Sequence, residues 1–120
     1  MMREVVVIGA GHAGSRLCEA LRDDGYDGAL TLIGDEPGLP YERPPLSKAV
    51  LPGSAQPGDA PILRASPAEL GINYVSNTAA VEIDRRRMSV TLGTGVRVRY
   101  DRLVLATGVR PRRPPIAGVE

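Results

Sequence analysis

The 120-residue chain has one cysteine, Cys18, and one histidine, His12. A single thiol excludes an internal disulfide and any C-x-x-C pair, so dithiol redox chemistry has no place in this segment. His12 has no second type of metal ligand around it, which argues against a metal centre. Charge of one sign is also scarce, with 15 Lys and Arg against 14 Asp and Glu and a net charge of +1. That balance disfavours a general nucleic-acid binder or a protein that sits on anionic membrane. No apolar run approaches the roughly 20 residues of a spanning helix. The N-terminus passes almost at once into a strand-like run, without the basic, apolar and small-residue progression of a signal peptide. These absences point to the cytoplasm. What remains is a globular composition, 42% hydrophobic and 24% charged, about one domain's worth of chain and short for a two-domain enzyme.

The densest signal stands at the front. Val5-Val6-Val7-Ile8 reads as a buried strand and runs into Gly9-Ala10-Gly11-His12-Ala13-Gly14, a G-x-G-x-x-G turn. Gly9 permits the tight bend, Gly11 lets the backbone approach a pyrophosphate, and Gly14 allows helix to pack closely on strand. The helix that follows presents free N–H groups and its positive dipole end to phosphates. Ala13, Leu17 and Leu21 recur every four residues with Cys18 beside them, giving one apolar helix face. Gly25 supplies the stop. Leu30-Thr31-Leu32-Ile33-Gly34 reads as a second strand, and Asp35 and Glu36 follow at about twenty residues beyond Gly14, the spacing of an acidic residue on a nucleotide ribose. His12 is read as a loop residue whose backbone matters more than its ring, and Cys18 as a packed helix residue.

Prolines concentrate in the middle of the chain, which predicts a long loop. Within it, Leu39-Pro40-Tyr41-Glu42-Arg43-Pro44-Pro45-Leu46-Ser47-Lys48 places two cations on stiffened backbone, suited to facing an anion. A solvated loop with idle charges is the alternative from physics alone. Ser66-Pro67-Ala68-Glu69 predicts a brief capped helix ending near Gly71. Alternating runs then predict strands at 72–75, 80–84, 88–92 and 96–100, the last two joined by the hairpin loop Gly93-Thr94-Gly95. Leu103-Val104-Leu105-Ala106 suits a buried strand ended by Thr107-Gly108. Arg85-Arg86-Arg87 is read as a solvated turn rather than a docking patch.

Four segments together carry a resemblance: Val7-Ile8-Gly9-Ala10-Gly11, Leu32-Ile33-Gly34-Asp35-Glu36-Pro37, the proline loop from Leu39 to Lys48, and Tyr100-Asp101-Arg102-Leu103-Val104-Leu105-Ala106-Thr107-Gly108. The chain resembles the N-terminal part of FAD-dependent pyridine-nucleotide oxidoreductases, in the ferredoxin or rubredoxin reductase branch related to apoptosis-inducing factor. The resemblance implies an α/β, Rossmann-like three-layer FAD/NAD(P)-binding fold with an appended β-hairpin. It implies FAD at the first site, with Gly9, Ala10, Gly11, His12, Ala13 and Gly14 on the pyrophosphate, Asp35 or Glu36 on the adenosine ribose, and Thr107 at the cofactor. By the same resemblance Arg43 lines the cofactor, the backbone of Val81 meets the adenine, and Arg112 contacts the cofactor. Lys48 stands near the flavin ring, where a cation would stabilise negative charge on reduced flavin.

No cysteine lies beside Lys48, unlike disulfide reductases of the same fold, which points to electron transfer from NAD(P)H through FAD to an iron–sulfur protein. Family chains are much longer, so residues 1–120 correspond to the N-terminal part of an FAD-binding domain. The NAD(P)H domain and the C-terminal domain are expected to be absent, with an exposed sheet edge open to association. A truncated, non-enzymatic dinucleotide-binding module and a fragment of an NAD-dependent dehydrogenase are the competing readings. The second leaves the proline loop unexplained.

Overall fold

The computed structural model describes residues 3–40, 61–109, 115 and 118. Strand β1 (Glu4–Ile8) is followed by helix α1 (His12–Asp23) and strand β2 (Ala29–Ile33), then β3 (Ile72–Val75), β4 (Ala80–Asp84), β5 (Ser89–Leu92), β6 (Arg97–Arg99) and β7 (Arg102–Leu105). Four strands form a sheet in the order β3-β2-β1-β7, in which every pairing is parallel. Val5, Val6, Val7 and Ile8 are all buried, as a strand covered on both faces of a parallel sheet requires. Alternation sends Val5 and Val7 into one core with Leu30, Leu32, Ile72 and Cys18 of α1. Val6 and Ile8 enter a second core with Ile33, Val90, Leu92 and Tyr100.

That second core is roofed by an antiparallel sheet, β4-β5-β6. The predicted hairpin, β5 with β6, is therefore two of the three strands of a layer, so that helix, parallel sheet and antiparallel sheet stack in three layers. Its loop closes as the sequence implies: the Leu92 N–H donates to the Val96 carbonyl at 2.8 Å and the Gly95 N–H to the Leu92 carbonyl at 2.8 Å, with Gly95 at φ +89. A glycine in the left-handed region is what a three-residue hairpin loop demands. Arg86 and Arg87 lie in an exposed turn whose N–H groups bond the Asp84 carboxylate.

Two local expectations shift. The apolar stripe of α1 is rotated: the buried residues are Gly14, Ser15, Cys18 and Glu19, Leu17 and Leu21 are half-buried, and Ala13 is exposed. Small residues allow the helix to lie closest to the sheet along their own line, so Gly14 and Ser15 define the contact. The segment after Ser66 is a single turn rather than a helix. Ser66 does cap, its Oγ accepting the Glu69 N–H at 3.2 Å. The Gly71 N–H bonds the Ala68 carbonyl and the Ile72 N–H the Pro67 carbonyl, with Gly71 at φ +67. This paired closure ends the turn before it can propagate, because β3 starts at the next residue. The same closure ends α1, from Gly25 N–H to the Arg22 carbonyl and Tyr26 N–H to the Leu21 carbonyl. Among the described residues β7 has a neighbour on one side only, and its last residue, Leu105, is 61% exposed.

Candidate functional site

A cleft of about 600 Å3 opens at the C-terminal ends of β1, β2 and β7. In a parallel sheet this is where a ligand is expected, since β1 is continued on one side by β2 and on the other by β7. Its floor is the turn from Gly9 to Ala13, one wall is Gly34, Asp35, Glu36 and Pro37 with Tyr74 behind, and the other is Ala106, Thr107 and Gly108.

The three glycines of the turn differ in what they do. Gly9 has φ +112, and a Cβ there would run into the Ala106 carbonyl. A Cβ on Gly14 would run into the Gly9 carbonyl and lie 3.3 Å from Val7 Cγ1. Both are demanded by the chain's own packing. Gly11 is different: it is the N-cap of α1 in extended conformation, φ −79 and ψ −161, and among the described residues a Cβ added there meets nothing within 4 Å. Its missing side chain leaves space that only something outside the described chain can use. Gly11 offers no side-chain cap and the first turn of α1 carries no acidic residue. Among the described residues the helix's leading N–H groups therefore open toward the cleft without a side-chain cap, an arrangement suited to an anion.

Across the cleft, the Gly9 N–H donates to the Ile33 carbonyl and the Ala106 N–H to the Ile8 carbonyl, both at 2.8 Å, which locks the glycine turn to β2 and β7. Asp35 is exposed and lines both the main cleft and an adjoining hollow formed with Thr78, Ala79 and Ala80. Glu36 is half-buried on the main cleft. Burial, and then the Glu36 carboxylate, push the Tyr74 hydroxyl above the usual phenol range, so it stays protonated and acts as a donor. His12 and Ala13 are exposed at the cleft floor. Val81 is 62% exposed on β4 and is the residue over which the β4–β5 register slips. It stands next in chain to the hollow lined by Ala80. Arg43, Lys48 and Arg112 lie outside the described residues.

Several supporting residues have no local signature in the sequence. Arg22 donates to the carbonyls of Tyr26 (2.6 Å), Gly28 (3.0 Å), Leu70 (2.8 Å) and Gly71 (2.9 Å), and stacks at 5.4 Å from the Tyr26 ring centroid. Glu19 is 4% exposed, accepting from Arg16 at 2.7 Å and from the Arg64 N–H at 2.8 Å. Burial pushes its carboxyl up, but these donors and the two guanidinium charges outweigh it and hold Glu19 below the usual carboxylate range. Asp101 receives the N–H groups of Arg3 and Glu4, both at 2.9 Å, which lower its carboxyl and tie β7 to β1. Burial pushes the Cys18 thiol up to about 11, making it a poor nucleophile.

The chain as a whole is similar to known proteins. A family model described as pyridine nucleotide-disulphide oxidoreductase matches residues 3–120. Rhodocoxin reductase of Rhodococcus erythropolis is 42% identical over 118 residues, spanning 95% of this chain and 27% of the relative. Putidaredoxin reductase of Pseudomonas putida is 42% identical over 115 residues, spanning 94% of this chain and 27% of the relative. The crystal structure of a covalent putidaredoxin reductase–putidaredoxin complex superposes with a TM-score of 0.86 at 40% identity, over 95% of this chain and 28% of that one. The chain thus spans just over a quarter of the length of the curated relatives it matches. With the family match running through every described element, from β1 to the strand end after β7, the chain belongs to the pyridine nucleotide-disulphide oxidoreductase family.

Proposed function

We propose that the cleft binds FAD and that residues 1–120 are the N-terminal part of an FAD-binding domain. The observation that carries this is Gly11: its conformation suits any residue, yet a Cβ there would project into the cleft at a helix N-terminus without meeting any described residue. A glycine without an internal reason is explained by close approach of a ligand, and the helix end selects an anionic one. The residues present fit a dinucleotide. The leading N–H groups of α1 would bond the pyrophosphate, and Asp35 or Glu36 would accept from the ribose hydroxyls. The Val81 backbone, beside the hollow lined by Thr78 and Ala80, would meet the adenine, with Thr107 on the facing wall. Arg43 and Arg112 are assigned to the cofactor by resemblance, and Lys48 to electrostatic support of the flavin.

Bound flavin would accept a hydride and release electrons singly. The chain's own part is binding and orientation. Its single cysteine is buried on α1 in the core with Val5 and Val7, which leaves this segment without a dithiol for the cofactor to reduce. The whole protein is proposed to pass electrons from NAD(P)H to a ferredoxin- or rubredoxin-type iron–sulfur protein. Support comes from relatives whose names are reductases of ferredoxins. A cytoplasmic setting is part of the same proposal: among the described residues no helix is long and apolar enough to cross a membrane.

The test is steady-state reduction of an iron–sulfur acceptor by NADH and by NADPH, using the native protein with its flavin content measured. Flavin-dependent reduction of the acceptor supports the proposal. Bound flavin that NAD(P)H cannot reduce would contradict the electron-transfer reading.

A further inference from the structure

The acidic wall of the cleft is irregular backbone, and it is held in an orderly way. From Gly34 to Pro40 every second carbonyl accepts a hydrogen bond: Gly34 from the Thr78 N–H at 3.0 Å, Glu36 from the Asn77 N–H at 2.9 Å, Gly38 from the Tyr74 hydroxyl at 2.7 Å, and Pro40 from the Ile62 N–H at 3.1 Å. Three of these donors are backbone N–H groups, which no change of side chain short of proline removes. The fourth is a side chain, reaching from β3 to a glycine at φ +81. Tyr74 also lines the cleft, and its hydroxyl would stand 3.4 Å from a Cβ placed on Gly34. It therefore packs against the wall it latches, immediately behind Asp35 and Glu36.

We propose that Tyr74 is a positioning residue, whose hydroxyl fixes the segment from Asp35 to Gly38 so that its carboxylates meet the ribose hydroxyls of the bound nucleotide. The inference rests on the dinucleotide reading of the cleft. Hydrogen bonds to a carboxylate are strong but steep in distance and angle, so a wall free to shift by about half an ångström loses selectivity before it loses affinity. The pyrophosphate end, held by α1 and locked to β2 and β7, does not depend on Tyr74.

The experiment compares calorimetric binding of ADP and 2′-deoxy-ADP to the intact chain and to Tyr74→Phe, which keeps the ring and removes the donor. Wild type is expected to prefer ADP by about tenfold, the worth of one hydrogen bond to a charged group. Tyr74→Phe is expected to prefer it by about threefold or less, with 2′-deoxy-ADP affinity within about twofold of wild type. A residue that merely supports the fold would weaken both nucleotides by the same factor, and that outcome overturns the proposal. So does a variant with undiminished preference, or one that fails to fold in circular dichroism, since the hydroxyl is assigned to the wall and not to the core. A wild type that binds neither nucleotide would instead remove the dinucleotide reading itself.

Discussion

Replacing Gly11 separates the needs of the chain from the needs of a ligand. The backbone at Gly11, φ −79 and ψ −161, suits an L-residue, and among the described residues the added Cβ meets nothing within 4 Å. Gly11→Val therefore loses little stability: a glycine N-cap is only moderately better than an aliphatic one, worth about 0.5–1 kcal/mol. For a domain of this size that is a fall in Tm of about 2–6 °C. The effect on the ligand is of another order. A phosphate oxygen bonded to a helix N–H sits at about 2.9 Å, in space the valine methyls would take. Losing two such charge-assisted bonds removes about 3–6 kcal/mol, or at least about a hundredfold in affinity. Gly9→Ala and Gly14→Ala are the controls, because their Cβ atoms would strike the Ala106 and Gly9 carbonyls and should unfold or strongly destabilise the chain. The assay is flavin retention on purification, with a thermal melt of each variant. A folded Gly11→Val protein that keeps flavin at wild-type affinity would refute the reasoning, because the turn would then face something else.

Arg22→Met should destabilise by about 2–3 kcal/mol in urea unfolding, since four carbonyls lose a charged donor shared between two loops; an unchanged midpoint would contradict it. Glu19 sets an acid limit. Its carboxyl is lower in the folded state than its ordinary value of 4.5, so its contribution is full above that value and is lost as pH falls through the lower folded one. Tm should fall over that window, and Glu19→Gln, less stable at neutral pH, should converge on wild type once the carboxyl is protonated in both states; parallel curves would oppose the assignment. In the native protein, Lys48→Ala should slow flavin reduction by NAD(P)H at least about tenfold while FAD stays bound, and unchanged stopped-flow kinetics would end that role.

The strands and the glycine turn were legible because their determinants are local. A continuous apolar run between two turns, as in β1, has few other solutions, and Gly25 and Gly95 mark left-handed positions that other residues adopt at a penalty. What escaped depends on partners far along the chain. Glu19 falls outside the apolar periodicity of α1 yet is buried, because residues near Arg64 cross over it. Arg22 reads as a surface residue near a helix end until Leu70 and Gly71 arrive at its guanidinium. The antiparallel strands were visible individually, but their place as a roof over Val6 and Ile8 follows only from tertiary packing. In the site, both carboxylates and the glycine turn from Gly9 to Ala13 were readable from spacing. Tyr74 was not, since nothing in an alternating strand distinguishes a hydroxyl that latches a wall from one that meets solvent.

The proposed occupant of this cleft is FAD rather than a nicotinamide nucleotide. Titration of the wild-type chain with FAD and with NADH under the same conditions tests it most directly. FAD is expected to bind more tightly, with the visible absorbance of a flavoprotein. Tighter binding of NADH would contradict it.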